Sequence, residues 1–207
     1  MKTLNKNLLA CAKIASSNKI RPVLACVYIT NDKMVTTDSY SILEIKNYSK
    51  FDSTDFPVIQ GCEHVKELKE EGILLNAKDI IEKVKFRKSK SKNLPILGEA
   101  VLTNETENTI SIVSTDLSTN NIISFGKKDG NFPDYSRIIP TKEPISQGFI
   151  DLEKLKKMCE AFLLAGKTSV RLKLYNEKGE KPCPIMFEND NVTGLIMPLT
   201  SQTPDKH

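Results

Sequence analysis

The sequence predicts an α+β protein in which a helix followed by about three antiparallel strands recurs along the chain. Three observations carry that expectation. "RPVLACVYI" from Arg21 and "LPILGEAVL" from Leu94 stand 73 residues apart. Each leads through a polar turn and a second short strand to "TTD" (residues 36–38) or "STD" (residues 114–116), so one unit is written twice. A third segment, "TSVRLKLY" from Thr168, lies a further 74 residues on and repeats the pattern, though not the letters, with the turn "NEKG" and the runs "CPIMFE" and "VTGLIM".

Each strand segment follows a stretch with helical spacing. In residues 5–16, Leu4, Leu8, Cys11, Ala12 and Ala15 recur on one side. Lys6, Asn7 and Lys13 interrupt that apolar run, which argues for an amphipathic core helix and against a signal peptide. In "NAKDIIEKVKF", Asn76 is placed as an N-cap and Ala77, Ile80, Ile81 and Val84 share a face. In "DLEKLKKMCEAFLLAG", Asp151 caps, Leu152, Leu155, Cys159 and Phe162 point inward, and Gly166 stops the helix. Among the strands, Val23, Ala25, Val27 and Ile29 are expected on one face, and Val170, Leu172 and Leu174 on another. Residues 48–72, with "KELKEEG", form a charged excursion with room for a short helix of its own. The expected organisation is a domain of two paired units over residues 1–135 and a third unit, a half-domain, over residues 136–207.

Composition limits the function classes. The 207 residues are 39% hydrophobic and 27% charged, ordinary for a soluble globular chain, and no apolar run approaches the length of a membrane span. Five cysteines, an odd number without a CxxC pair, read as reduced thiols and favour the cytoplasm. The net charge of +4 is mild, but "KFRKSKSK" concentrates cations at residues 85–92.

No catalytic constellation emerges. His64 and His207 are the only histidines, "CEH" at residues 62–64 lacks a second pair at zinc spacing, and no GxxxxGK[ST] or GxGxxG occurs. Neither a metal nor a cofactor is expected. Asp38 and Asp116 recur at equivalent places in two units, which suits aspartates that hold a turn by bonding nearby backbone amides.

The run "RPVL", "KMVTTDSYSILEI", "ILLNAKDIIEKV", "DGNFPDYSRIIP" and "GLIMPL", in that order, resembles the β sliding clamp of bacterial replicative DNA polymerases. Residues 37–42 would occupy the family's Thr-Asp turn, residues 132–137 its Phe-Pro-Asp-Tyr connector between domains, and residues 196–199 its Met-Pro end. Two departures stand out: the family has six units per chain where this chain has about three, and Ser39, Tyr40 and Ser41 replace its Gly-His-Arg. "LPILGEAVL…STDL" also resembles the start of the family's first domain, which leaves the assignment of the second unit to a particular half-domain open.

The resemblance implies a sliding-clamp fold and a non-enzymatic processivity factor that encircles or tracks double-stranded DNA as a homo-oligomeric ring. The expected DNA-facing cations are Lys6 and Lys13 on the first helix, Lys78, Lys83 and Lys85 on the second, and Lys154 and Lys157 on the third, with Arg21, Arg87 and Lys88. Lysines opposite an apolar stripe also occur on any solvated helix. The implied groove for a DNA polymerase or another clamp-binding-motif protein is lined by Thr37, Tyr40 and Ile42, by Pro140, and by Ile196, Met197, Pro198 and Leu199. A clamp-derived peptide-binding adaptor that does not encircle DNA is the alternative; a small enzyme lacks residues to support it.

Overall fold

The computed structural model describes residues 1–16, 20–69, 72–86, 93–136, 139–140, 149–174, 184–190 and 192–199. The chain divides into two compact units, Met1–Tyr135 and Ser136–His207.

The first unit is a helix-plus-strands motif built twice around a shared core. Helix α1 (Lys6–Ile14) starts where Asn5 accepts a hydrogen bond from the Asn7 amide, and it buries Leu8, Cys11 and Ala12. The strands β1 (Cys26–Ile29), β2 (Lys33–Thr37) and β3 (Ile42–Lys46) follow as an antiparallel meander. The second copy begins with β4 (Ile73–Asn76), runs directly into α2 (Ala77–Lys83), and continues through β5 (Val101–Thr103), β6 (Thr109–Thr115) and β7 (Asn120–Gly126). Asn76 caps α2 by accepting from the amides of Lys78 and Asp79. The sheet orders are β3-β2-β1-β4 and β5-β6-β7, all antiparallel.

Strand β4 ties the two copies together: it belongs to the second by chain order, yet it pairs with β1 of the first, Leu75 opposite Val27 and Ile73 opposite Ile29. Helices α1 and α2 pack on each other. Leu8, Val27, Ile29, Leu75, Ile80, Leu102 and Ile110 meet in one cluster drawn from both copies.

Several local expectations need correction. The strand expected to begin at Val23 begins at Cys26, because Pro22–Ala25 winds into a 3-10 turn with proline in its first position, and Pro95–Gly98 does the same in the second copy. Only Val27 and Ile29 of the four expected inward residues are fully buried, Val23 and Ala25 being half-buried. Ile81 is half-exposed at 49%, since the short α2 turns only Ala77 and Ile80 into the core, with Val84 buried just past its end. The excursion 48–72 is part of the core: Tyr48, Val65 and Leu68 join the main cluster, while Phe56 and Ile59 pack on Val101 and Val113 of the second sheet and on Ile96 of the 3-10 turn before it. Its short helix is a single 3-10 turn, Ser53–Asp55, held by reciprocal bonds between Asp52 and Asp55.

Gly72, just before β4, has φ +62°, and a Cβ there would lie 2.6 Å from the Ile29 carbonyl oxygen and 2.8 Å from the Tyr28 ring. Gly72→Ala is therefore expected to destabilise the first unit by about 1–3 kcal/mol, measured by urea unfolding. A loss below the error of that measurement would contradict the placement of β4 against β1.

The second unit is one further copy of the motif. Helix α3 (Leu152–Leu164) is capped by Asp151, which accepts from the amides of Glu153 and Lys154, and Gly166 follows it at φ +74°. The strands β8 (Arg171–Leu174), β9 (Ile185–Asn189) and β10 (Val192–Ile196) form an antiparallel sheet ordered β10-β9-β8. Gly194 permits close approach of the helix: a Cβ there would meet the Met158 sulfur at 2.3 Å. Phe162, Phe187 and Ile196 make the small core, with Leu155 and Met158 packed on it. Leu155, Met158 and Phe162 form the sheet-facing stripe, so Leu152 and Cys159, expected inward, are exposed. The "NEKG" turn lies outside the described residues.

Candidate nucleic-acid and peptide interfaces

The two Thr-Asp turns are the same structure built twice. Asp38 Oδ1 accepts from the amides of Tyr40 and Ser41 and from the Ser41 hydroxyl, and Asp116 Oδ1 accepts from the amides of Ser118 and Thr119 and from the Thr119 hydroxyl. Thr37 Oγ1 donates to the Ser41 carbonyl and accepts from the Ser39 amide, as Thr115 Oγ1 does with Thr119 and Leu117. Ser39 and Leu117 both take positive φ, 84° and 71°. The backbone amides of Ser41 and Tyr40 hold the Asp38 carboxyl below the usual carboxylate range. Both aspartates shape the β2-β3 and β6-β7 reversals, the structural role their recurrence suggested.

The Phe-Pro-Asp-Tyr stretch closes onto the first sheet. The Phe132 ring stacks on Tyr28 with centroids 5.1 Å apart, and Tyr135 meets Phe132 edge-on at 6.2 Å. The Lys33 ammonium donates to the Tyr135 hydroxyl at 2.9 Å, and that hydroxyl donates to the Glu44 carboxylate. The Tyr135 hydrogen bond, followed by the nearby Lys46 and Lys33 charges, lowers the Glu44 pKa. A lowered carboxylate contributes stability above its unfolded pKa, about 4.3, and loses it as pH falls through the folded value. Tyr135→Phe is accordingly expected to flatten the fall in stability on acidification below about pH 5, read from melting temperatures across that range; an unchanged profile would remove Tyr135 as the cause. Tyr28, Lys33 and Glu44 had no mark in the sequence, because a lysine and a glutamate on neighbouring strands look like any solvated sheet face.

The helix cations differ from one another. Lys6, Lys13, Lys78, Lys83, Lys85, Lys154 and Lys157 are all exposed, as is Arg21. On α2, however, Lys83 pairs with Asp79 at 3.2 Å and Lys78 with Glu82 at 3.8 Å, which leaves that outer face nearly neutral. Lys83 also lies 5.9 Å from the centroid of the Phe125 ring. Lys6, Lys13, Lys154 and Lys157 have no acidic partner among the described residues. Lys6 and Lys13, two turns apart, stand opposite the buried stripe of α1. Arg87 and Lys88, with most of "KFRKSKSK", lie outside the described residues.

The residues expected to line a peptide groove divide between the units. In the first, Thr37 is buried in its turn, Ile42 is half-buried, and Tyr40 is 98% exposed and covers nothing. In the second, Pro140 is exposed, Ile196 is buried in the small core, Met197 is 59% exposed, and Pro198 and Leu199 are half-buried. Leu199 pairs through its backbone with Phe149. Tyr40 and Met197 are thus the side chains of this set most accessible to a ligand.

His64 points Nδ1 at the Ser53 carbonyl, 3.3 Å away, and its ring meets Phe56 edge-on. Among the described residues no group of three or more histidine, cysteine, aspartate or glutamate side chains could hold a metal ion. Cys11, Cys26, Cys62 and Cys159 are free thiols, and burial raises the Cys11 pKa to about 11. Among the described residues no helix is long and apolar enough to cross a membrane.

Doubled helix-and-strand units, with paired helices on shared sheets and a Phe-Pro-Asp-Tyr segment closing the first domain, define the sliding-clamp fold. Two bacterial structures share it. The DNA polymerase III subunit beta of Borrelia burgdorferi, solved with a natural product, matches with a TM-score of 0.58 at 19% identity, over 92% of this chain and 44% of that one. The beta subunit of DNA polymerase of Streptococcus pyogenes matches with a TM-score of 0.58 at 18% identity, over 94% of this chain and 47% of that one. The chain therefore spans less than half the length of the clamps it matches. No protein-family model matches it, and no curated protein does.

Proposed function

We propose that the chain is a clamp-like, non-enzymatic processivity factor that encircles or tracks duplex DNA and tethers a replicative polymerase or another partner carrying a short binding peptide. The observation that carries this reading is the clamp fold itself, joined to exposed Lys6 and Lys13 on α1 and Lys154 and Lys157 on α3, which have no acidic partner among the described residues. Such cations attract phosphates without reading bases, and the attraction falls steeply with salt. Tyr40 and Met197 are assigned to peptide capture, since an exposed aromatic and a pliable thioether suit that role.

Charge reversal at Lys6, Lys13, Lys83 and Lys157 together should abolish duplex binding in ~0.1 M salt, where the Debye length is near 10 Å. Retention of wild-type affinity by that variant would overturn the DNA-facing assignment. A second reading, a peptide-binding adaptor that does not encircle DNA, is favoured by the paired charges on α2. It predicts peptide binding that Met197→Ala weakens, without any affinity for duplex.

A further inference from the structure

We propose that Ser53 Oγ, His64 Nε2 and Thr103 Oγ1 form a binding site for one water molecule, which fastens the excursion 48–72 to β5. Among the described residues these three are the buried side-chain nitrogen or oxygen atoms without a hydrogen-bond partner. They come from three separate stretches of the chain, a 3-10 turn, an extended segment and a strand, yet the backbone brings them to one place.

Two bonds set the register there. The Val65 amide donates to the Leu102 carbonyl at 2.9 Å and the Asn104 amide to the Glu63 carbonyl at 2.9 Å, so His64 stands directly opposite Thr103 in an antiparallel bridge. Side chains opposite each other in such a pair leave the same face. For Thr103 that is the face of Val101, two residues back, which packs with Phe56 and Ile59 of the excursion, whereas Leu102 and Val65 turn to the main core. The His64 ring meets the Phe56 ring edge-on at 5.9 Å and sets Nδ1 3.3 Å from the Ser53 carbonyl, which brings Ser53 to the same face. Ser53 is 2% exposed and Thr103 is fully buried. The next hydroxyl along the row, Ser111 opposite Thr103, is engaged by Ser124 at 2.9 Å.

Donor and acceptor chemistry selects the occupant. The Ser53 carbonyl can only accept, so the His64 proton sits on Nδ1 and Nε2 presents a lone pair. The hydroxyls of Ser53 and Thr103 each hold a proton that needs an acceptor. Water answers all three: its two lone pairs take the hydroxyl protons, and one of its own protons goes to Nε2. An anion would meet the hydroxyls and oppose the Nε2 lone pair. An alkali cation would meet the lone pairs and leave both hydroxyl protons unsatisfied. Three bonds is the usual number for a buried water. A cleft of about 680 Å³, lined by Val58, Cys62, His64, Val65 and Glu67 among others, borders the ring and gives water a way in. The site depends on neither DNA nor peptide binding, so it can fail without them.

Thr103→Val in the full chain tests it. Exchanging a bridged hydroxyl for a methyl should raise the unfolding constant about fivefold in urea titrations, whereas exchanging one that has no partner would leave it unchanged or lower it. In a Ser53→Ala background the effect should shrink, because the two hydroxyls meet only through the water. Nitrogen-15 spectra should place the His64 proton on Nδ1, and a water-selective NOE should link a long-lived water to the His64 ring protons and the Thr103 methyl. A Thr103→Val protein as stable as wild type or more so, additive effects of the two substitutions, or no such NOE would overturn the proposal. So would a midpoint that follows potassium concentration at constant ionic strength, which would assign the site to a cation.

Discussion

Leu75→Ala is expected to lower the unfolding free energy of the first unit by about 2–5 kcal/mol, the range for emptying a leucine site in a close-packed core. Leu75 is fully buried on β4, pairs with Val27 of β1, and sits in a cluster fed by α1, α2 and both sheets. Because that cluster joins the two copies, the loss should appear as one cooperative transition shifted to lower denaturant with its slope unchanged. A variant that unfolds in two separated steps would show the copies to be independent, contrary to the shared core. Hydrogen exchange offers the same test residue by residue: amides of β1 and β6 should lose protection together.

Glu99→Ala is the polar counterpart, with an expected loss of about 3 kcal/mol. Its carboxylate accepts from Thr3 Oγ1 at 2.5 Å, Ser49 Oγ at 2.7 Å and Asn5 Nδ2 at 3.3 Å, binding the N-terminal segment and the excursion to the second copy. Thr3 is fully buried and Ser49 nearly so, so removing the acceptor takes away two charge-assisted bonds and leaves these hydroxyls only each other and the Phe51 backbone as partners. Glu99→Gln keeps an acceptor of similar shape and should recover part of the loss. Equal destabilisation by both substitutions in urea titrations would point to the charge and not to the bonds; no loss from Glu99→Ala would leave the cluster without a structural role.

Periodicity and caps made much of the architecture legible before any coordinates. The 73-residue repeat, the caps at Asn76 and Asp151 and the stop at Gly166 depend on interactions within a few residues, and such interactions are written locally. What sequence could not show was contact between distant segments. Apolar Val23 and Ala25 look like strand residues, yet Pro22 starts a 3-10 turn. Phe56, Ile59, Val65 and Leu68 are spaced without a period, so their burial beneath a charged-looking excursion had no pattern to betray it. The site divides along the same line. The Thr-Asp turns were readable from their recurrence, and the neutralisation of Lys78 by Glu82 and of Lys83 by Asp79 follows from i,i+4 spacing once residues 77–83 are helical. The exposure of Leu172 and Leu174 was hidden for a related reason: alternation identifies a strand's apolar face without saying whether anything covers it.

The most direct test of a clamp-like, phosphate-facing protein is the salt dependence of its binding to two duplexes of unrelated sequence. The account predicts equal affinities for the two, falling with a log–log slope of about 0.9 for each neutralised phosphate. Four to six contacts from the lysines of α1 and α3 and the cations around Lys85 would then give a slope of roughly 4–5. No measurable binding at low salt, or affinities that differ strongly between the two sequences, would contradict it.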